Sequence, residues 1–301
     1  MAESLFETER GRAWFAGQCA HSMLPLERRP SAGFGLTLTV LGHAVGWPLA
    51  RGGSSSLVDA LAGKVRELGG TVETGSAVDE LPRDRLVLAD VAPRELARIA
   101  HGRLPARYER RLRSYRHGPG AFKVDWALDG PIPWRAAECK RASTVHLGGT
   151  LDEISQSEWA AWSGRTVERP FVLLAQPTLF DRARAPDGKH VAWAYCHVPN
   201  GSAEDLTERI EAQVERFAPG FRELILARSS LGPADLEARN RNLVGGDLSG
   251  GALDLGRLFR PLAYSTPLGG VYLCSASTPP GGGVHGMSGY WAARAALESL
   301  G

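Results

Sequence analysis

The sequence predicts an α/β protein, and three stretches of its 301 residues carry that prediction. A helix with an apolar face is predicted from the serines at 54–56 to the glycine pair at 69–70, and a strand is predicted to follow at 71–74. A second β-favouring run at 85–91 is followed by a helix that Pro93 begins. Longer β-favouring runs fill the middle of the chain. Alternating helices and strands of this kind predict helices layered on a sheet, beside a sheet-rich portion.

The first fifty residues contain two apolar segments. Residues 1–30 predict a helix that runs into a loop containing Pro25 and Pro30. The run 33–48 is apolar and spaced by glycines, and its periodicity fits a helix and a strand equally well. Its composition predicts burial in either conformation.

From about residue 118 the sequence predicts a mostly β portion with two helices. Its β-favouring runs are 121–128, 143–147, 171–176 and 190–198, and its helices are 152–162 and 203–217, the second capped by Ser202. Lys123 and Asp125 share one face of their strand, which favours a cross-strand charge pair over catalysis. The glycine-rich segment 240–251 fits an irregular surface loop or a functional loop.

The composition limits the classes of partner and ligand that are expected. The net charge is +2 and the arginines are scattered among acids, so no nucleic acid is expected. The arginine-rich segment 107–116 fits a solvated helix face or a phosphate-binding patch. The four cysteines form no C-x-x-C pair, which argues against a disulfide framework and fits a reducing compartment. His190 and Cys196 share a strand face from which His197 points away, so no metal site is predicted.

The predicted location is cytoplasmic. No apolar run approaches the roughly 18 residues needed to cross a bilayer. The first ten residues are acidic and amphipathic, whereas a signal peptide would be basic and then apolar.

The chain is organised around residues 270–293, where a short apolar run enters a loop with three consecutive glycines and then a helix. Gly281, Gly283 and Gly286 satisfy the G-x-G-x-x-G pattern of dinucleotide-binding loops. Such a loop and helix start can hold an anion, because glycines admit close backbone approach and the first-turn N–H groups are free. The pattern alone favours a simple tight turn over contact with a cofactor. Asp90 is expected to be a loop or cap residue rather than a catalytic acid.

Three stretches together resemble the phytoene desaturase-like branch of the FAD-dependent amine oxidase superfamily, over nearly the whole chain. The first is Pro-Leu-Ala-Arg-Gly-Gly-Ser at 48–54 with the helix and the Leu-Gly-Gly-Thr-Val-Glu-Thr-Gly segment after it. The second is Tyr-Arg-His-Gly-Pro-Gly-Ala-Phe-Lys-Val-Asp-Trp-Ala-Leu at 115–128. The third is Tyr-Leu-Cys-Ser-Ala-Ser-Thr-Pro-Pro-Gly-Gly-Gly-Val-His-Gly at 272–286.

The resemblance implies non-covalent FAD binding and an incomplete doubly wound FAD-binding domain, residues 1–114 and 241–301, around a β-rich substrate domain, residues 115–240. The residues that it places near the flavin are Arg51, Gly52, Gly53, Ser54, Ser275, Ala276, Gly281, Gly282, Gly283, Val284, His285 and Gly286. It places Val78 near the adenine. His285 is a weak catalytic candidate, for polarising the flavin or handling a proton, against a loop residue satisfied by backbone.

Two departures from the family pattern bear on function. Many relatives carry an acid close to the position of Ser275 and Ala276 that holds a cofactor hydroxyl, and this sequence has none there. Relatives also begin with a βαβ unit that grips the ADP moiety, and this chain is expected to lack it.

Three functions therefore stay open. The first is an FAD-dependent dehydrogenase or desaturase that passes a hydride from a lipophilic, isoprenoid-like substrate to flavin. The second is a split portion, inactive until a complementing N-terminal chain completes it. The third is a lipid-binding or scaffold protein without catalysis. The expected partners are a lipophilic small molecule, that complementing chain and a peripheral membrane surface.

Overall fold

The computed structural model describes residues 1–83 and 86–300. Arg85, the first residue of the strand predicted at 85–91, lies outside the described residues. The helices are α1 (Ala2–Leu5), α2 (Glu9–Ala20), α3 (Ser31–Ala44), α4 (Ser55–Glu67), α5 (Pro93–Ile99), α6 (Ala106–Arg113), α7 (Leu151–Trp162), α8 (Thr207–Phe217), α9 (Pro233–Arg239), α10 (Leu255–Phe259) and α11 (Met287–Glu298). The strands are β1 (Val87–Ala89), β2 (Gly120–Leu128), β3 (Thr144–Leu147), β4 (Val172–Ala175), β5 (His190–Val198), β6 (Ile225–Leu231) and β7 (Val271–Leu273). This mixture of helix and sheet confirms the predicted α/β class.

A two-stranded parallel sheet joins residues 87–89 to residues 271–273. β1 pairs with β7 in the register Val87 to Val271 and Ala89 to Leu273. Side chains on one face of this sheet pack with α5 and α6 in a buried apolar cluster. Tyr272 points to the opposite face and packs against Ala292 of α11. Helices on both faces of a parallel pair are the layering that the sequence predicts for this part of the chain.

A five-stranded antiparallel sheet in the order β3-β4-β5-β2-β6 forms the larger core. Alternate residues of β2 and β5 meet α8 in the main apolar cluster. Trp126 is buried there, and its Nε1 donates to Glu211 Oε1 at 3.0 Å. All strands of this sheet lie within residues 115–240, whereas β1 and β7 lie on either side of them in sequence. The division into a flavin domain and a substrate domain stays a prediction.

Several predicted elements differ from the structure. The 33–48 run forms the helix α3, but only Ser31 and Gly35 of that helix are buried, so the prediction of burial was wrong. Residues 71–74 form no strand, because no described strand pairs with them. The helix predicted from 203 begins at Thr207, whose N–H donates to Asp205 Oδ1 at 2.8 Å. β6 was not predicted, because its sequence lacks a continuous apolar pattern.

The glycine-rich segment 240–251 connects the two sheets instead of forming an irregular surface loop. Asp247 is fully buried, and its carboxylate accepts hydrogen bonds from the N–H groups of Gly118 at 3.0 Å and Ser249 at 2.7 Å. Asn200 Nδ2 donates to the carbonyls of Gly118 and Val244, each at 2.9 Å. These hydrogen bonds hold the residues just before β2 against the 244–249 segment, which precedes β7 in the chain.

Candidate functional site

A cavity of about 320 Å³ lies at the carboxyl edge of the parallel sheet. Because β1 and β7 are parallel, the residues that follow them, Asp90 and Cys274, reach the same edge. The lining residues are Asp90, Cys274, Ala276, Gly281, Gly283, His285, Gly286, Ser288 and Gly289. Ligands of open α/β sheets bind in crevices at this edge.

The start of α11 faces this cavity. Its N-cap is Gly286, which has a φ of 64° and no side chain to cap the helix, and the first turn contains no acidic residue. The Met287 N–H donates to His285 Nδ1 at 3.0 Å. A helix start of this kind favours negative charge, because the remaining N–H groups and the positive end of the helix dipole point toward the ligand side.

The glycine loop leaves its backbone open to a ligand. A Cβ on Gly282 would lie 3.1 Å from the Ser249 carbonyl oxygen, and one on Gly283 would lie 2.8 Å from His285 Cδ2. Gly283 also has a φ of 150°, which side chains other than glycine rarely adopt. Val284 is 95% exposed. Gly281, Gly283 and Gly286 thus line the cavity without side chains, and the His285 side chain lines it beside them.

Two side chains bind backbone carbonyls in the segments next to the glycine loop. The Tyr115 hydroxyl donates to the carbonyls of Gly250 at 3.2 Å and Ser277 at 3.4 Å. Arg257 of α10 donates to the carbonyls of Ser249 at 3.4 Å and Gly251 at 2.9 Å, and also to that of Ala276. The guanidinium thus joins the 249–251 backbone to Ala276, which lines the cavity ahead of the glycine loop.

Asp90 lines this cavity, whereas its sequence context predicted a loop or cap residue. It follows a three-residue strand far from the glycine loop in sequence, and only the parallel pairing of β1 with β7 brings the two together. Partial burial raises the pKa of its carboxyl. Burial, and then the neighbouring Asp90 charge, raise the pKa of the Cys274 thiol to about 11. At neutral pH the thiol is therefore protonated and is not a nucleophile.

The other predicted flavin contacts lie elsewhere. The Gly52 N–H donates to Asp181 Oδ2 at 3.0 Å, and Gly52 lines a cavity of about 650 Å³ with Trp193 and Arg184. Arg51 and Ser54 flank it in the same turn, and a Cβ on Gly53 would collide with Arg184 Nη1. This turn and the 281–286 loop do not share a cavity in the described chain.

Two further predicted contacts differ in exposure. Val78 is 54% exposed, and its carbonyl accepts a hydrogen bond from Arg98 Nη2 at 3.4 Å. Ser275 is buried at the end of β7, where its Oγ accepts the Ser277 N–H at 3.3 Å. Ser275 thus shapes the turn, while Ala276 lines the cavity.

One face of the five-stranded sheet carries polar and aromatic side chains. Lys123 forms an ion pair with Asp125 of its own strand, so the predicted charge pair runs along β2 rather than between strands. Lys123 Nζ lies 5.6 Å from the ring centroid of Trp193, which stacks with Tyr195 at 6.3 Å. His197, at the end of this row, is buried and its Nδ1 lies 2.8 Å from Glu158 Oε2.

A second cavity lies on the other side of the turn that leads into the glycine loop. Its volume is about 380 Å³, and Gly281 lines both cavities. Most of its lining is apolar and comes from α3, α10 and the 277–281 turn, including Phe34, Leu253, Leu258 and Pro279. Arg257 lines it as well. This cavity can take an apolar group next to the glycine loop.

No family model matches the sequence. The chain is 27% identical over 346 aligned positions to the rat pyridine nucleotide-disulfide oxidoreductase domain-containing protein 2, which covers 98% of this chain and 59% of the rat protein. It is 31% identical over 122 positions to a 4,4'-diapolycopen-4-al dehydrogenase from Metabacillus indicus, covering 38% of this chain and 25% of that enzyme. The chain thus spans about three-fifths of the length of the rat relative.

Solved structures share the fold. An oxidoreductase from Methanosarcina mazei superposes with a TM-score of 0.65 at 17% identity, covering 98% of this chain and 66% of that one. A putrescine oxidase double mutant superposes with a TM-score of 0.59 at 14% identity, covering 99% and 66%. The structural neighbours share the fold of this chain, and the rat relative is similar to it over nearly its whole length.

No helix in residues 1–83 and 86–300 is both long and apolar enough to span a bilayer.

Proposed function

We propose that the chain is the flavin-binding and substrate-binding part of an FAD-dependent oxidoreductase of the phytoene desaturase-like branch. The observation that carries this proposal is the glycine-lined cavity in which the 281–286 loop meets the start of α11 at the carboxyl edge of a parallel strand pair. A tight turn alone would need neither the open backbone nor the cavity between β1 and α11.

The residues that would hold the flavin are those of the cavity wall. Backbone groups of Gly281 to Gly286 would lie against the cofactor, and the first turn of α11 would face its anionic part. Tyr115 and Arg257 would keep this wall in place through the carbonyls that they bind. When bound, flavin supplies a two-electron acceptor for a hydride from a substrate carbon.

The substrate that we propose is lipophilic and isoprenoid-like. The apolar cavity beside Gly281 supports this class, because it shares a wall with the flavin cavity and offers few polar partners. The match to the diapolycopenal dehydrogenase gives independent support, since that enzyme's name denotes a carotenoid-type aldehyde.

A second candidate is a portion that binds flavin only after another polypeptide segment packs against it. The apolar side of α4, formed by Leu57, Leu61, Val65 and Leu68, favours this candidate. These side chains are between 44% and 76% exposed. An apolar helix face left in water marks an interaction surface.

Flavin absorbance separates the two candidates. The purified chain is mixed with FAD, freed of unbound cofactor and scanned in the near-ultraviolet and blue, with and without an added dinucleotide-binding βαβ segment. Flavin retained by the chain alone supports the autonomous enzyme. Flavin retained only with the added segment supports the split protein. Retention in neither mixture contradicts both.

A further inference from the structure

Asp90 is the acidic side chain in the wall of the glycine-loop cavity. In residues 1–83 and 86–300, no arginine, lysine or histidine nitrogen pairs with it, and no side chain or backbone N–H donates to it. Other carboxylates of the described residues are paired; Asp254, for example, pairs with Arg116 at 3.0 Å. Asp90 thus keeps its acceptor oxygens free for a ligand.

The charge of Asp90 restricts what can lie beside it. A carboxylate accepts hydrogen bonds but donates none, and it repels a phosphate at the same distance. The uncapped start of α11 has the opposite preference. A ligand that satisfies both must offer hydroxyl donors near β1 and negative charge near α11. Polyol phosphates have this combination of groups.

The position of Asp90 is fixed by the sheet. The Cys274 N–H donates to the Ala89 carbonyl at 3.0 Å, which continues the β1–β7 pairing up to Asp90. Ala89 is buried beneath α5, so the strand end has little freedom. A carboxylate held on a strand end is a better-oriented acceptor than one on a mobile loop.

We propose that Asp90 accepts hydrogen bonds from hydroxyl groups of the polyol arm of the bound flavin. It supplies from β1 the acid that the sequence lacks next to Ser275 and Ala276. This inference rests on the proposed flavin function and makes Asp90 a determinant of which flavins bind.

The test compares riboflavin, which carries the polyol arm, with lumiflavin, which carries a methyl group instead. Binding of each is measured by quenching of flavin fluorescence, with the chain supplemented by the βαβ segment where retention requires it. Asp90→Ala is expected to weaken riboflavin binding roughly tenfold or more, as expected for a lost hydrogen bond to a charged group, and to leave lumiflavin binding unchanged. Asp90→Asn, which keeps one acceptor oxygen, is expected to weaken riboflavin binding less.

The control is Asp59→Ala, which removes an exposed carboxylate of α4 outside the cavity and is expected to change neither flavin. Equal losses for riboflavin and lumiflavin in Asp90→Ala would overturn the inference, as would no loss for either. Tighter FAD binding by Asp90→Ala would also overturn it, because the carboxylate would then face a phosphate. If the unaltered chain binds no flavin under any condition, the proposed function itself fails.

Discussion

At the scale of single residues, the backbone conformation of Gly283 decides whether a side chain can be placed at this position of the loop. A side chain at 283 would meet His285 and would have to adopt a φ of 150°. We expect Gly283→Val to lower FAD affinity at least tenfold, about 1.4 kcal/mol, because the β-branched side chain fills the wall and strains the loop. Equilibrium titration with FAD measures the change.

Gly269→Val is the matched control for that substitution. A Cβ on Gly269 meets no atom within 4 Å, and Gly269 precedes β7 outside the cavity. Affinity equal to that of the unaltered chain is expected for this variant. Unchanged flavin affinity in Gly283→Val would remove the 281–286 loop from the site.

At the scale of elements, a histidine pair joins α2 to β3. His21 Nε2 and His146 Nε2 lie 3.0 Å apart. Burial lowers the pKa of His146 to about 4, and burial together with the His146 charge lowers the pKa of His21 to about 3. Both values lie below the ordinary 6.5, so the unfolded chain takes up these protons first as pH falls.

The pair therefore makes folding pH-dependent. The stability that the chain has with both histidines neutral is fully present above pH 6.5 and is lost as pH falls toward 4 and then 3. Between pH 7 and pH 5 we expect His146 alone to lower the free energy of unfolding by about 1–2 kcal/mol. Denaturant unfolding at both pH values measures this, with His146→Gln as the test and the exposed His43→Gln as the control. A His146→Gln variant whose pH dependence equals that of the unaltered chain would contradict the assignment, because only the part that His21 contributes should remain.

The exposed side of α4 gives a second prediction for an element. Leu61 is 71% exposed, so Leu61→Glu is expected to change the free energy of unfolding of the chain by less than about 0.5 kcal/mol. If another segment packs there, the same substitution abolishes the flavin retention that the βαβ segment restores, because it would bury an unpaired charge. Leu96→Glu, at a fully buried position of α5, is the contrasting variant and is expected to unfold the chain. Restored flavin retention in Leu61→Glu would contradict packing on this face.

At the scale of the whole molecule, the sequence predicted the elements whose signals are local. β2, β4 and β5 match apolar runs, and α4 and α5 match glycine and proline punctuation, because these signals act within a few residues. The exposure of α3 was not predictable, since its apolar residues read as core until the packing is known. The strand predicted at 71–74 failed because a β pattern forms a strand only with a partner.

Part of the candidate site was also predictable, because its sequence signals are local. The glycine loop and its helix follow from contiguous residues, and the structure places them at the carboxyl edge of a parallel pair. Asp90 reaches the cavity only through pairing of strands that are 184 positions apart, Val87 with Val271 (271 − 87), and no local pattern encodes that distance. The turn at 51–54 lies against Asp181 and Arg184, and its contact with the flavin stays a prediction.

Titration of the purified chain with FAD, alone and with the dinucleotide-binding segment, is the most direct test of the central claim that the 281–286 loop is a flavin site. If the loop is a flavin site, one FAD per chain binds saturably in at least one of the two conditions, and this binding is lost in Gly283→Val and kept in Gly269→Val. Absence of saturable binding in both conditions, or equal binding by the two glycine variants, would contradict it.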